Sequence, residues 1–232
     1  VSSNDAPSLG ALGGTRSHTE GGNAVVLDNN ATLTDPELAA LNNFGGSVLT
    51  LSRRGGADAN DDFRGSGSLT LSGGEVRLGG TLVGTYDPAT LDAGTLRITF
   101  ADGVTQAQAT SVLRGIAYAN TSDAPPASVR IDYVLNDGNT GAQGTGGARN
   151  SATGSVVVNI SAVNDAPVNT VPASISVTED VASPLSGISI SDADAGSSSL
   201  SVTLSVPAGS LSATSGAGVN VSGSGTGSLV LS

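Results

Sequence analysis

Apolar and polar residues alternate along most of this chain. Ser47-Val48-Leu49-Thr50-Leu51-Ser52, Ser68 to Ser72, Thr95-Leu96-Arg97-Ile98-Thr99-Phe100, Val129 to Leu135, Ser155 to Ile160, Ile175 to Thr178 and Leu200 to Leu204 all show a period of two. That period belongs to strands with one face in a core and the other in water. Gly, Asn and Asp clusters separate the segments and read as turns. One stretch breaks the pattern. Thr105-Gln106-Ala107-Gln108 has the spacing of a capping box, and Ala109, Val112, Leu113 and Ile116 follow at helical intervals. A short helix over about 106 to 115, packed across one end of a sandwich, is therefore expected. Many short strands with turn signals roughly every 8 to 12 residues predict an all-β protein built as a Greek-key β-sandwich.

The chain also repeats itself. Asn4-Asp5-Ala6-Pro7 recurs as Asn164-Asp165-Ala166-Pro167, an offset of 160 residues. Thr19-Glu20 is echoed by Thr178-Glu179, and Asp35-Pro36-Glu37 by Asp192-Ala193-Asp194. Gly67 to Ser72 returns as Gly227 to Ser232 at the same offset as the first pair. Residues 1–163 are thus expected to form one whole repeat, with 1–7 as a linker from a preceding unit. Residues 164–232 read as the first part of a second repeat. Its missing strands would be supplied by further chain or by a neighbouring copy, since an unpaired sheet edge is a template for strand addition. The start at Val1-Ser2-Ser3-Asn4, with no charged segment leading into an apolar one, reads as a window from a longer polypeptide.

Composition narrows the function classes. There is no Cys, which removes thiol nucleophiles, disulfides and zinc–thiolate sites. All nine basic residues are Arg, against sixteen Asp and four Glu, for a net charge of −11. So acidic a chain is a poor partner for nucleic acid. No apolar run approaches the roughly 18 residues a membrane-spanning helix needs, so membrane insertion is not expected. Absence of Lys, Cys and Met beside abundant Ser, Thr, Gly and Ala suits an exported, extracellular or cell-surface protein. His18 is the sole histidine, so neither a Ser–His triad nor a histidine metal site can be assembled, and no enzyme is expected.

The acidic residues carry the remaining chemistry. Asp is a hard oxygen donor, and short Asp-rich loops between rigid strands can offer the six to eight oxygens that calcium takes. Recurrence of such residues at matching repeat positions distinguishes them from isolated turn residues. Taken in order, the Asn-Asp-Ala-Pro boundary, the Thr-Glu after it, the Asp-x-Asp following Ile188-Ser189-Ile190 and Asn136-Asp137-Gly138-Asn139 before the last strands resemble the cadherin-like tandem repeats of large bacterial surface adhesins and biofilm-associated proteins. The resemblance covers nearly the whole chain. It implies tandem cadherin-like or Ig-like sandwiches with Ca2+ between successive domains, held by a Glu of the upstream domain, the Asn-Asp linker and the Asp-x-Asp of the downstream domain. By that resemblance Glu20, Asn164, Asp165, Asp192 and Asp194 ligate at the junction within this chain. Asp5, Asp35, Glu37 and Asp137 fall near the junction with a preceding unit, and Glu179 faces a following one. Ala162 and Ala166 stand where the cadherin linker has further ligands, so fewer ions than usual are implied. The unit is also longer than a typical cadherin domain, which implies an insertion.

Simpler readings attach to several motifs. Asp-Ala-Pro and Asn-Asp-Gly are also good turn sequences. Asp58-Ala59-Asn60-Asp61-Asp62 starts like an EF-hand loop, but Phe63 occupies the glycine position and no Glu closes the loop. His18 reads as a solvated loop residue, and Arg53-Arg54 as solvated or salt-bridged. The functional expectation is a calcium-stiffened spacer in a long surface or matrix protein, mediating cell adhesion or biofilm structure, with neighbouring repeats as partners. The alternatives are a self-assembling fibre subunit that exchanges strands between copies, and a module that binds surface glycans using Tyr86, Tyr118 or Tyr133.

Overall fold

Leu49 and Leu51 are fully buried while Val48, Thr50 and Ser52 between and beside them are half-exposed, so the period of two in the sequence becomes an inside and an outside. The computed structural model describes residues 2–232; Val1 lies outside the described residues. The chain divides into two compact units, one ending at Val163 and one running Asn164–Ser232.

The first unit runs β1 (Ser8–Gly10), β2 (Thr15–Thr19), β3 (Val25–Val26), β4 (Thr32–Thr34), α1 (Pro36–Leu41), β5 (Val48–Arg53), β6 (Asp61–Gly65), β7 (Leu69–Ser72), β8 (Glu75–Leu78), β9 (Thr81–Tyr86), α2 (Pro88–Asp92), β10 (Thr95–Phe100), α3 (Gln106–Gly115), β11 (Ile116–Asn120), β12 (Ser128–Asn136) and β13 (Gly154–Ser161). Eight strands form one sheet in the order β2-β13-β12-β5-β10-β9-β8-β7, three form a second in the order β3-β11-β6, and β1 pairs with β4. The β7–β8 and β8–β9 hairpins turn through Gly73-Gly74 and Gly79-Gly80. All four have positive φ, between 57° and 84°, which two-residue turns matching the strand twist require.

One core joins the sheets. Leu96, Ile98 and Phe100 of β10, Val129, Ile131, Tyr133 and Leu135 of β12 and Val156, Val158 and Ile160 of β13 bury their alternate side chains in the same cluster as Phe63 and Tyr118 of the smaller sheet. The described residues are mostly β, in several sheets, and three helices interrupt them where the sequence predicts one. The predicted helix is α3, with the Thr105–Gln108 capping box formed and Ala109, Val112 and Leu113 buried. The other two lack helical periodicity but share a start: Asp35 caps α1 and Asp87 caps α2, each followed by Pro at the first helical position. An Asp oxygen accepting an orphan backbone N–H and a Pro with preset φ nucleate a single turn without any apolar stripe.

The second unit contains β14 (Val168–Thr170), β15 (Ser189–Ser191), β16 (Val202–Ser205), β17 (Val221–Ser222) and β18 (Ser228–Leu231). Ile175 to Thr178, expected as a strand, forms none. Its alternation has no neighbour to pair with, and Val177 is 67% exposed. Each unit begins with a three-residue antiparallel ladder. Ser8, Leu9 and Gly10 pair with Thr34, Leu33 and Thr32, and Val168, Asn169 and Thr170 pair with Ser191, Ile190 and Ser189. Only Leu211 and Leu229 of this unit are buried apolar residues.

Candidate functional site

The β1–β4 ladder brings the Asn4-Asp5-Ala6-Pro7 segment beside the Asp35-Pro36-Glu37 turn at one end of the first unit. The loop after β12 closes over them. Asn4 is 1% exposed, and its amide Nδ2 donates to Asp137 Oδ2 at 2.6 Å and to the Gly147 carbonyl at 2.9 Å. The other Asp137 oxygen accepts the backbone N–H groups of Asn139 and Arg149. Gly138, at φ 66°, approaches the Gly46 carbonyl so closely that a Cβ would collide with it. Asn139 and Gln143 then bond back into the loop through Gly144 O and Asp137 O.

Within this end, several buried oxygens lack a partner. Asp35 Oδ1 caps α1 by accepting from Leu38 N–H at 2.8 Å, but Asp35 Oδ2 accepts nothing from the described residues. Asn4 Oδ1, Glu37 Oε2 and Gln143 Oε1 are likewise buried without a hydrogen bond. Unpaired buried polar atoms are rare in folded proteins, because each costs roughly 1–3 kcal/mol. Burial raises the Asp35 carboxyl above its ordinary range, and the charges of Glu37 and Asp137 push it the same way against the Leu38 hydrogen bond. No ion pair among the described residues involves Asp35, Glu37 or Asp137. The donors are all oxygens, which suits Ca2+ rather than a metal that selects nitrogen or sulfur. Asp5, beside Asn4, is exposed.

At the exit of the first unit, β2 and β13 pair in parallel, and this sets Glu20 beside the last residues of the unit. Glu20 N–H donates to Ser161 O at 3.0 Å, and its carboxylate accepts from Val163 N–H at 2.9 Å. The carboxylate oxygens of Glu20 and Asp123 lie within 4.8 Å of each other. Sequence reasoning missed Asp123. Its signal was present as a third Asp-Ala-Pro, Asp123-Ala124-Pro125, falling inside the repeat rather than at its boundary.

In the second unit the corresponding residues are partly assembled. Asp165 N–H donates to Asp194 Oδ2 at 2.5 Å, and Asp192 Oδ1 accepts from the backbone N–H groups of Asp194 and Ala195. Asn164, the counterpart of buried Asn4, is exposed, because no loop equivalent to residues 137–149 covers it among the described residues. Glu179 is exposed too, on a segment without regular structure.

His18 does not lie in a solvated loop. It stands on β2, 3% exposed, with its ring edge-on to Tyr118 at 6.4 Å and neither ring nitrogen paired. The alternation Arg16-Ser17-His18 turns it inward. Arg53 and Arg54 are ion-paired, Arg53 with Asp58 and buried Asp61, and Arg54 with Asp132. Of the three tyrosines proposed for glycans, Tyr118 and Tyr133 are buried in the core and only Tyr86 reaches the surface. No protein-family model matches the chain, and sequence comparison with characterised proteins finds no relative. No helix among the described residues is long and apolar enough to cross a membrane.

Proposed function

We propose that this chain is a calcium-binding, extracellular repeat segment of the cadherin-like, Greek-key type, and that it serves as a stiffened spacer in a long surface or matrix protein engaged in adhesion or biofilm structure. One observation carries the reading. Asn4 Oδ1, Asp35 Oδ2 and Glu37 Oε2, buried at one end of the first unit, have no hydrogen-bond partner among the described residues. Asn4, Asp35, Glu37 and Asp137 are the residues that would hold the ion there, with Asp5 and Gln143 beside them. Calcium would contribute charge neutralisation and coordination to oxygens that are otherwise desolvated for nothing. The same chemistry extends by repeat to Asn164, Asp165, Asp192 and Asp194, and by position to Glu20 and Asp123 at the exit of the first unit. Without a cation, carboxylates gathered at unit ends repel one another and leave successive units loosely coupled. No catalytic role is proposed.

A thermal melt of the chain in EDTA and then in millimolar calcium, with magnesium as the control, tests this. At a hundredfold excess over its dissociation constant, a ligand of the folded state adds about 2.7 kcal/mol. In a unit of this size that corresponds to a midpoint shift of roughly 5–10 °C. The shift should be calcium-specific and should disappear in an Asp35→Ala/Glu37→Ala variant, while Asp192→Ala/Asp194→Ala probes the second unit. An unchanged midpoint in calcium removes the metal reading.

A second reading, assembly between copies, is favoured by the second unit alone. Val168, Val171, Val177, Val181, Leu185 and Val219 are all more than two-fifths exposed, apolar area that contact with another copy would remove from water. Concentration-dependent sedimentation of the isolated chain separates assembly from a passive spacer.

A further inference from the structure

We propose that the groove between β9, α2 and β10 is a binding site for a carboxylated saccharide, whose carboxylate pairs with Arg97 and whose hydroxyls engage Thr85, Thr99 and Asp87. The groove has a volume of about 340 Å³ and is lined by Thr85, Tyr86, Asp87, Thr90, Arg97 and Thr99. That places it at the lower end of the size range for ligand clefts, suited to one sugar ring of a longer chain.

Register builds its floor. Thr99 of β10 stands directly opposite Thr85 of β9, and Arg97, two residues away, projects from the same outer face because Leu96, Ile98 and Phe100 are buried on the other. On its other side Arg97 faces Thr50 of β5 rather than a carboxylate. Five of the nine arginines form ion pairs with Asp or Glu, and Arg114 and Arg130 bond to backbone carbonyls and to Ser155 Oγ. Among the described residues Arg97 has neither kind of partner, and it is exposed in a chain with a net charge of −11. The opposite wall is Asp87, whose oxygens accept from Ala89 N–H at 3.0 Å and Thr90 Oγ1 at 2.9 Å, so the carboxylate is fixed in place with lone pairs still open to the groove.

One guanidinium, three threonine hydroxyls and one carboxylate acceptor line the groove together with Tyr86. A guanidinium matches a carboxylate in two-point geometry. The hydroxyls and Asp87 match the donors and acceptors around a pyranose ring. Tyr86 packs half-buried against the core, so stacking contributes little and binding of a single ring is weak.

The test is titration of the whole chain with tri-galacturonate, followed by calorimetry and by amide NMR shifts, with maltotriose and sodium acetate as controls. All solutions contain EDTA, so calcium cannot bridge ligand to protein and the outcome is independent of the calcium site. Saturable binding of tri-galacturonate is expected, with shifts at Thr85, Arg97 and Thr99, and maltotriose and acetate should bind at least tenfold more weakly. Arg97→Gln should lose about tenfold in affinity with an unchanged melting midpoint, since the side chain is exposed and unpaired. Absence of saturable binding, equal affinity in Arg97→Gln, or equal affinity for maltotriose or acetate overturns the proposal.

Discussion

Asn4 donates its side-chain amide to Oδ2 of Asp137, 133 positions away, at 2.6 Å in the interior. This contact closes the far loop over the linker residues and leaves the amide oxygen of Asn4 buried with no hydrogen-bond partner among the described residues. A single residue thus uses its donor to hold the fold together while its acceptor stays unpaired among the described residues.

Asp137 should be the least replaceable residue of this end. Asp137→Ala leaves the Asn4 amide and two backbone N–H groups buried without that acceptor, and the cost should be about 3 kcal/mol. Urea unfolding of the chain measures it. A loss under about 1 kcal/mol would mean that the loop rearranges freely and the cradle is not preformed.

The raised carboxyl of Asp35 fixes a sign for the pH dependence. In the metal-free chain the folded state holds the Asp35 proton more tightly than the unfolded state, so stability falls as pH rises from the ordinary carboxylate range through the raised value. Calcium requires the ionised form, so its stabilising effect should grow over the same window. Melts in EDTA across mildly acidic pH should show the decline, and Asp35→Asn should flatten it.

Arg53, Asp61 and Tyr118 form a buried network. Arg53 donates twice to Asp61, at 2.6 and 2.8 Å, and the Tyr118 hydroxyl donates to the same carboxylate at 2.6 Å. Removing the arginine leaves Asp61 uncompensated with its side chain fully inaccessible. Arg53→Ala should therefore cost roughly 3–5 kcal/mol, and Tyr118→Phe about 1 kcal/mol or somewhat more. Both are readable by chemical denaturation.

Tyr133 offers the converse case. Its hydroxyl is buried without a partner, and burial raises the pKa of the phenol. Tyr133→Phe removes an unsatisfied oxygen while keeping the ring, so it should raise stability by about 1 kcal/mol. A destabilised variant would show that the hydroxyl has a partner, such as a bound water, in solution.

The two units should differ in autonomy. The first has a continuous core, whereas the second buries only Leu211 and Leu229 among its apolar residues. Residues 1–163 produced alone should unfold cooperatively, and residues 164–232 alone should not. Calorimetry of the two fragments distinguishes this from two equally stable domains.

Local chemistry determined what could be read without the fold. Alternation set the main strands of the first unit and the inward face of each, because a period of two admits one buried face, and the Thr105–Gln108 box set the start of α3 because capping involves residues three apart. Asp-Pro did the same for α1 and α2, a signal present in the chain but masked by the absence of an apolar stripe. The repeated acidic motifs marked Asp35 and Glu37, yet not the burial of Asn4, which is bonded to a loop more than 130 residues away. Strand pairing was decided by tertiary structure alone. Gly67 to Ser72 and Gly227 to Ser232 are nearly the same sequence, and both form strands, but β7 pairs only with β8 whereas β18 lies between β16 and β17. A strand's own residues fix its pleat and its apolar face. Its partner is whichever edge the rest of the chain brings within hydrogen-bonding distance.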